Sequence, residues 1–160
     1  MRARFYGELS PMNTTFSIPI RVYYEDTDTG GVVYHSNYLN FMERARSEWL
    51  RALGFEQDQL VRTDGVLFAV SAANIRFQKP ARFNDLLDVT VTLDRLGAAS
   101  LNLLQEVRRD ASVLASAEVR IACLDVQRFV PVAIPAQVAG KLAAVNGAAP
   151  PRVRPLPKVN

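Results

Sequence analysis

The sequence predicts an α+β domain in which five antiparallel strands curl around one long helix. Three observations carry this. From Tyr38 to Leu53, apolar residues recur at spacings of three and four, which places them on one helical face. Beyond Gly65, apolar and polar residues alternate with the period of a half-buried strand. The connections between those alternating segments are short, as antiparallel neighbours allow.

Residues 1–16 show no period and predict a poorly ordered arm. Ile18 to Tyr24 is rich in β-branched and aromatic types and reads as the first strand. The run Glu25 to Gly31 is a polar loop whose two glycines turn the chain. The helix then presents Tyr38, Phe41, Met42, Ala45, Trp49 and Leu53 on one stripe. Ser36 or Asn37 is suited to cap its start. Gly54 suits the left-handed position past its end, with Phe55 folding back on the last turn. Residues 56–65 read as a polar connection.

Four strands follow. Val66 to Phe77 is the first, stopped by Lys79-Pro80-Ala81, because proline donates nothing to a ladder. Leu87, Val89, Val91 and Leu93 alternate with Asp88, Thr90, Thr92 and Asp94 in the next. Gly97 to Ala99 turns the chain into Leu101, Leu103, Gln105 and Val107, and Val113 to Leu124 is the last. A short helix is expected from Ala136 to about Val145. The domain therefore runs over residues 17–145. Residues 146–160 form a proline-rich basic tail, expected to be disordered. One helix cannot cover both faces of such a sheet, so the outer face is expected to be covered by dimerisation or tetramerisation.

Composition narrows the chemistry. The chain has 160 residues, with one histidine, one cysteine and a formal net charge of +3. A lone Cys123 excludes an intrachain disulfide and a cysteine-rich zinc site, and a lone His35 excludes a multi-histidine metal site. Cys123 falls on a strand pattern and reads as a buried, inert thiol. No acid follows Asp125, so the basic residues from Arg128 onward leave residues 1–125 at −2. A nucleic-acid module carries its positive charge on the folded domain, so that class is disfavoured. No stretch is long and apolar enough to span a bilayer. No export signal is visible, and with one unpaired cysteine a cytoplasmic location is expected.

The chemistry concentrates between the first strand and the helix. Asp26 and Asp28 lie two apart, Gly30-Gly31 follow, and His35 stands where the helix begins. A carboxylate can act as nucleophile or as base toward water. A helix N-terminus offers unpaired N–H groups to a polarised carbonyl. Such a loop is also an ordinary turn, and His35 an ordinary packing residue; composition alone leaves both open. Calcium is set aside, because the twelfth position from Asp26 is Asn37 where a glutamate is required.

The run from Arg21 through Glu25-Asp26-Thr27-Asp28-Thr29-Gly30-Gly31 to Tyr34-His35-Ser36-Asn37-Tyr38-Leu39 resembles the N-terminal motif of hotdog-fold thioesterases. It belongs with the 4-hydroxybenzoyl-CoA thioesterase branch, and most with bacterial acyl-CoA thioesterases associated with the Tol–Pal system. Phe41-Met42-Glu43-Arg44-Ala45-Arg46-Ser47-Glu48, Pro80-Ala81 and the Pro131 to Pro135 segment continue the resemblance. It covers about residues 17–140.

The resemblance implies a hotdog fold and hydrolysis of an acyl-CoA to free acid and CoA. Asp28 matches the family's catalytic aspartate. The backbone N–H at about His35 would hold the thioester oxygen, and the His35 side chain would shape the site. Tyr24 and Tyr34 are either pocket or core. Lys79, Arg82, Arg108 and Arg109 are candidates by charge for the CoA phosphates. Sites are expected at a dimer interface, with no metal or separate cofactor. Two other roles stay open: hydrolysis of acyl groups on an acyl carrier protein, and a binding or scaffold role in the Tol–Pal assembly, to which the tail would contribute.

Overall fold

The computed structural model describes residues 4–6 and 15–147. The expectations for the rest of the arm and for the tail beyond Gly147 fall outside that range. Six strands form one antiparallel sheet: β1 (Arg4–Tyr6), β2 (Thr15–Arg21), β3 (Val66–Phe77), β4 (Leu86–Leu96), β5 (Ser100–Arg109) and β6 (Ser112–Asp125), in the order β1-β2-β4-β5-β6-β3. Three helices accompany them, α1 (Asn37–Ala52), α2 (Gln57–Asp64) and α3 (Ala136–Gly147). None is long and apolar enough to cross a membrane.

The four later strands and α1 fall where the periods place them, but the first strand, expected over Ile18–Tyr24, stops at Arg21, and Tyr24 opens a 3₁₀ turn instead. Two elements are additions. Arg4–Tyr6 pairs with Thr15–Ser17, so β2 starts earlier than the pattern suggests. Three residues are too few to display a period. Helix α2 occupies the expected polar connection and buries only Leu60 of its eight residues, so it has no apolar stripe to read. It ends on Gly65 at φ +64, a left-handed position that suits glycine.

Helix α1 lies in the concave face of the sheet. Phe41, Met42, Ala45 and Trp49 are buried against it. Leu87, Val89, Val91 and Leu93 of β4, and Leu101, Leu103 and Val107 of β5, supply the facing wall. The helix ends as its sequence predicts. Gly54 has φ +99, its N–H donates to the Arg51 carbonyl, and the Phe55 N–H donates to the Leu50 carbonyl. That is the paired-bond stop in which the second residue folds an apolar side chain back.

One polar side chain sits within the apolar wall. Gln105 is buried, and its Nε2 donates to the carbonyls of Met42 (3.1 Å) and Thr90 (3.2 Å). Its Oε1 accepts from Arg46 at 2.9 Å. An amide left unpaired there would cost about 1–3 kcal/mol, so this triple bonding ties α1 to β4 and β5 in one register.

On β4 and β5 the convex face carries Asp88, Thr92, Asp94, Asn102, Glu106 and Arg108, with Thr90 buried and Leu104 half-buried among them. Apolar surface is also left uncovered on β3. α1 packs on β2, β4 and β5, and β3 pairs on one side only. Val70 and Phe77, paired with the inward-facing Ile121 and Ala115, are about half exposed (50% and 48%) on the concave side.

Candidate active site

Two aspartates two residues apart do different work. After β2, Tyr24–Asp26 form a short 3₁₀ turn. Asp26 is buried, and its Oδ2 accepts the Tyr23 N–H at 2.9 Å. Its carbonyl accepts the Tyr34 N–H and the Asn37 side-chain amide, both at 2.9 Å. This residue is therefore a structural staple between the turn and the start of α1.

The chain then makes a tight hairpin. Thr27 bridges Val33, the Asp28 N–H donates to the Val32 carbonyl, and the Gly31 N–H donates to the Asp28 carbonyl. Gly31 has φ +76, as the left-handed residue closing a three-residue hairpin loop requires. Asp28 sits exposed at the tip, and its Oδ1 accepts the Gly30 N–H at 2.8 Å. A Cβ on Gly30 would stand 3.1 Å from that oxygen, so the glycine permits the approach. Among the described residues nothing engages the other carboxylate oxygen.

Helix α1 begins without a side-chain cap. Ser36 occupies the cap position but makes no cap bond, and Asn37 is turned to the Asp26 carbonyl. Among the described residues, no acceptor is bonded to the backbone N–H of His35 or Ser36. The expected capping is thus absent, and donors at the positive end of the helix dipole are left open. The His35 ring is exposed, 4.4 Å from the Tyr34 ring and edge-on to Phe77 at 6.4 Å.

The connection after β3 closes the back of the site. The Val33 N–H donates to the Ala81 carbonyl at 2.8 Å, and the Ala81 N–H donates to the Tyr38 hydroxyl at 3.0 Å. Burial pushes the Tyr38 phenol's pKa up, so it stays neutral. Tyr38→Phe leaves the Ala81 N–H unpaired in the interior, and is expected to cost about 1–3 kcal/mol. Chemical denaturation of both proteins measures it; an unchanged stability would show that this bond holds nothing.

The structure separates the four candidate cations. Lys79 and Arg82 are exposed, and Arg82 is bridged to Val32 of the hairpin. The other two each stand against a neighbouring acid. Arg108 projects from the convex face and pairs with Glu106 at 3.1 Å. Arg109 is already engaged, donating to Asp85 at 2.7 Å and to the Pro80 carbonyl at 3.3 Å. Nor are the two tyrosines core residues. Tyr34 lies beside His35, and Tyr24 stacks on Phe83. Phe77, Phe83 and the Tyr38 hydroxyl meet His35, Tyr24 and the Ala81 N–H respectively, contacts that no sequence pattern marks. Cys123 is buried, with a thiol pKa raised by that burial. Among the described residues no group of three or more metal-ligating side chains occurs.

The Asp85–Arg109 pair gives the stability a pH signature. Burial alone would raise the Asp85 carboxyl, but the Arg82 N–H and the Arg109 guanidinium together outweigh it and hold it below the ordinary aspartate value. A carboxyl with a lower pKa in the folded state stabilises fully above its unfolded value of about 3.9. That contribution is lost as pH falls through the folded value. The stability gap between the protein and Asp85→Asn is therefore expected to be constant near neutrality and to close below about pH 4. A urea series at several pH values reads this directly, and a gap that persists in acid would refute it.

A family model described as the thioesterase-like superfamily matches residues 22–142. The chain belongs to that superfamily. The match opens just past β2 and closes within α3. The chain is 42% identical over 127 residues to an acyl-CoA thioesterase YbgC of Haemophilus influenzae, covering 79% of this chain and 93% of that one. It is 41% identical over 129 residues to an acyl-CoA thioester hydrolase YbgC of Escherichia coli, covering 79% and 96%. Among solved structures, a probable thioesterase from Bartonella henselae superposes with a TM-score of 0.74 at 36% identity, covering 76% of this chain and all of that one. As a thioesterase-like superfamily member, the chain has the hotdog fold: a long helix held in a curled antiparallel sheet.

Proposed function

We propose that this protein is an acyl-CoA thioesterase that hydrolyses its substrate at the Asp28 hairpin. One observation carries the reading: an exposed carboxylate sits on a hairpin that leads directly into a helix start with open N–H donors. The His35 N–H donates a hydrogen bond to the thioester oxygen and stabilises the negative charge that develops on it. Asp28 either attacks the carbonyl carbon or removes a proton from the attacking water. By either route the C–S bond breaks, the thiolate leaves and takes a proton, and water supplies the oxygen of the free acid. Names of relatives support the substrate class.

The same proposal includes a homo-oligomer joined along β3, with each site finished by its partner. The support is the one-sided pairing of β3 and the half-exposed Phe77, which touches His35 and Tyr38. The resemblance over residues 17–140 extends the proposal to a cytoplasmic enzyme, needing no metal, that acts alongside the Tol–Pal system. Free thiol released from a panel of aliphatic and aromatic acyl-CoA thioesters tests the activity. Release from at least one substrate is expected, and no release from any would overturn the proposal.

A further inference from the structure

Arg109 is the last residue of β5, and its side chain is half-buried. Its guanidinium donates to the Asp85 carboxylate at 2.7 Å and to the Pro80 carbonyl at 3.3 Å. One side chain from the sheet thus grips both ends of the connection that runs from Pro80 to Asp85. Bonds between a cation and a carboxylate are the strong kind, about twice as strong as neutral ones. A charge held this way is a brace, and what it braces is the segment beneath the Asp28 hairpin.

The bonds can be followed from the arginine to the reacting acid. The Asp85 carboxylate also accepts the Arg82 N–H at 2.8 Å, and the Asp85 N–H donates to the Arg82 carbonyl at 3.1 Å, which closes a tight turn. The hairpin leans on that segment from the other side. The Val33 N–H donates to the Ala81 carbonyl at 2.8 Å, and Val32 bridges Arg82. The Val32 carbonyl in turn accepts the Asp28 N–H at 3.0 Å. An unbroken series therefore runs from Arg109 through Asp85, Arg82 and Val32 to Asp28. Asp28 is exposed and, among the described residues, bonded only within its own loop. Its direction is set by what the hairpin rests on.

We propose that Arg109 is a positioning residue for the reacting carboxylate: by gripping Pro80 and Asp85 it fixes the connection on which the Asp28 hairpin rests. The proposal deepens the acyl-CoA reading above and rests on it. A reacting group displaced by about 1 Å from its productive place loses about 10²-fold in rate. An exposed hairpin tip reaches that precision only through a rigid support. The cation is used inside the protein, to hold the loop that carries the chemistry.

Arg109→Met keeps the apolar stem and removes every donor. Its kcat for an acyl-CoA thioester is expected to fall about 10- to 100-fold, with KM within about threefold of the parent. In an Asp28→Asn background most of that fall should vanish, because no carboxylate is left to position and groups that act as a unit are not additive. A second readout needs no substrate. Amide hydrogen exchange at Asp28, Gly31 and Val33, each bonded in or under the hairpin, should quicken about tenfold in Arg109→Met, as expected for a lost bond to a charged group. Amides in the middle of α1 should keep their rates. If Arg109→Met does not fold, Asp85→Asn should give the same signature at smaller size, since its amide oxygen still accepts the Arg82 N–H while the charge that holds Arg109 is gone. Equal falls in both backgrounds would make Arg109 merely structural, and a rise confined to KM would make it a substrate contact. Unchanged exchange would mean that it braces nothing. Each of these overturns the proposal. A parent protein that releases no thiol, with exchange quickened as expected, would refute the acyl-CoA reading alone.

Discussion

Asp28→Asn is expected to lower kcat/KM for acyl-CoA hydrolysis by about 10²–10⁴-fold, the usual worth of a positioned base or nucleophile. The geometry makes this substitution clean. The amide oxygen still accepts the Gly30 N–H that Oδ1 accepts now, so the hairpin keeps its shape. Asp28 is exposed and in no ion pair among the described residues, so little stability depends on its charge. What disappears is the negative charge that the proposed mechanism uses to attack carbon or deprotonate water. The thermal midpoint should stay within a few degrees of the parent. Turnover within tenfold of the parent, in a folded variant, would remove Asp28 from the chemistry. Asp26→Asn is the contrasting case: it weakens a buried staple, and its losses should appear in stability as well as rate.

Charging the β3 edge is expected to produce the second large effect. Ala72 and Ala73 lie near the middle of that twelve-residue strand, exposed on opposite faces. Its sequence from Val66 to Ile75 contains no charged residue, although isolated edges usually carry charge to prevent pairing. An antiparallel pairing of two copies about the strand's centre would place like residues close together. Ala72→Asp with Ala73→Asp then sets like charges opposite each other, which is destabilising. Sedimentation should show a shift from oligomer to monomer. Hydrolysis should fall more than tenfold, because in the proposed oligomer Phe77 and His35 would lose the wall of the second copy. A charged variant that stays oligomeric, or a monomer of full activity, would refute the shared site.

Much of the fold was legible because its signals are local. The α1 stripe, the stop at Gly54 and Phe55, and the alternation in β4 each depend on neighbours a few residues away. The hairpin was legible as a loop with two glycines, and the resemblance singled out Asp28 within it. Local signals fail where an element is too short or too polar to show a period, as in β1 and α2. They also fail where residues of one type differ only in their surroundings. Asp26 and Asp28 look alike in sequence, and only the bonds to Tyr23 and Gly30 tell the staple from the free acid.

The sequence by itself determined the order of the long strands and α1, the helix that fills the sheet, the hairpin and the family resemblance. Periodicity, turn chemistry and motif spacing are written into consecutive residues. Only the tertiary structure decided which cation is bridged to that hairpin, that α1 starts uncapped, that apolar surface is left open on β3, and that Tyr24 meets Phe83. Each of those outcomes depends on strand register and on partners tens of residues away. A ladder that pairs Asp88 with Arg108 sends that arginine to the convex face. The neighbouring Arg109 is taken by Asp85, 24 residues earlier.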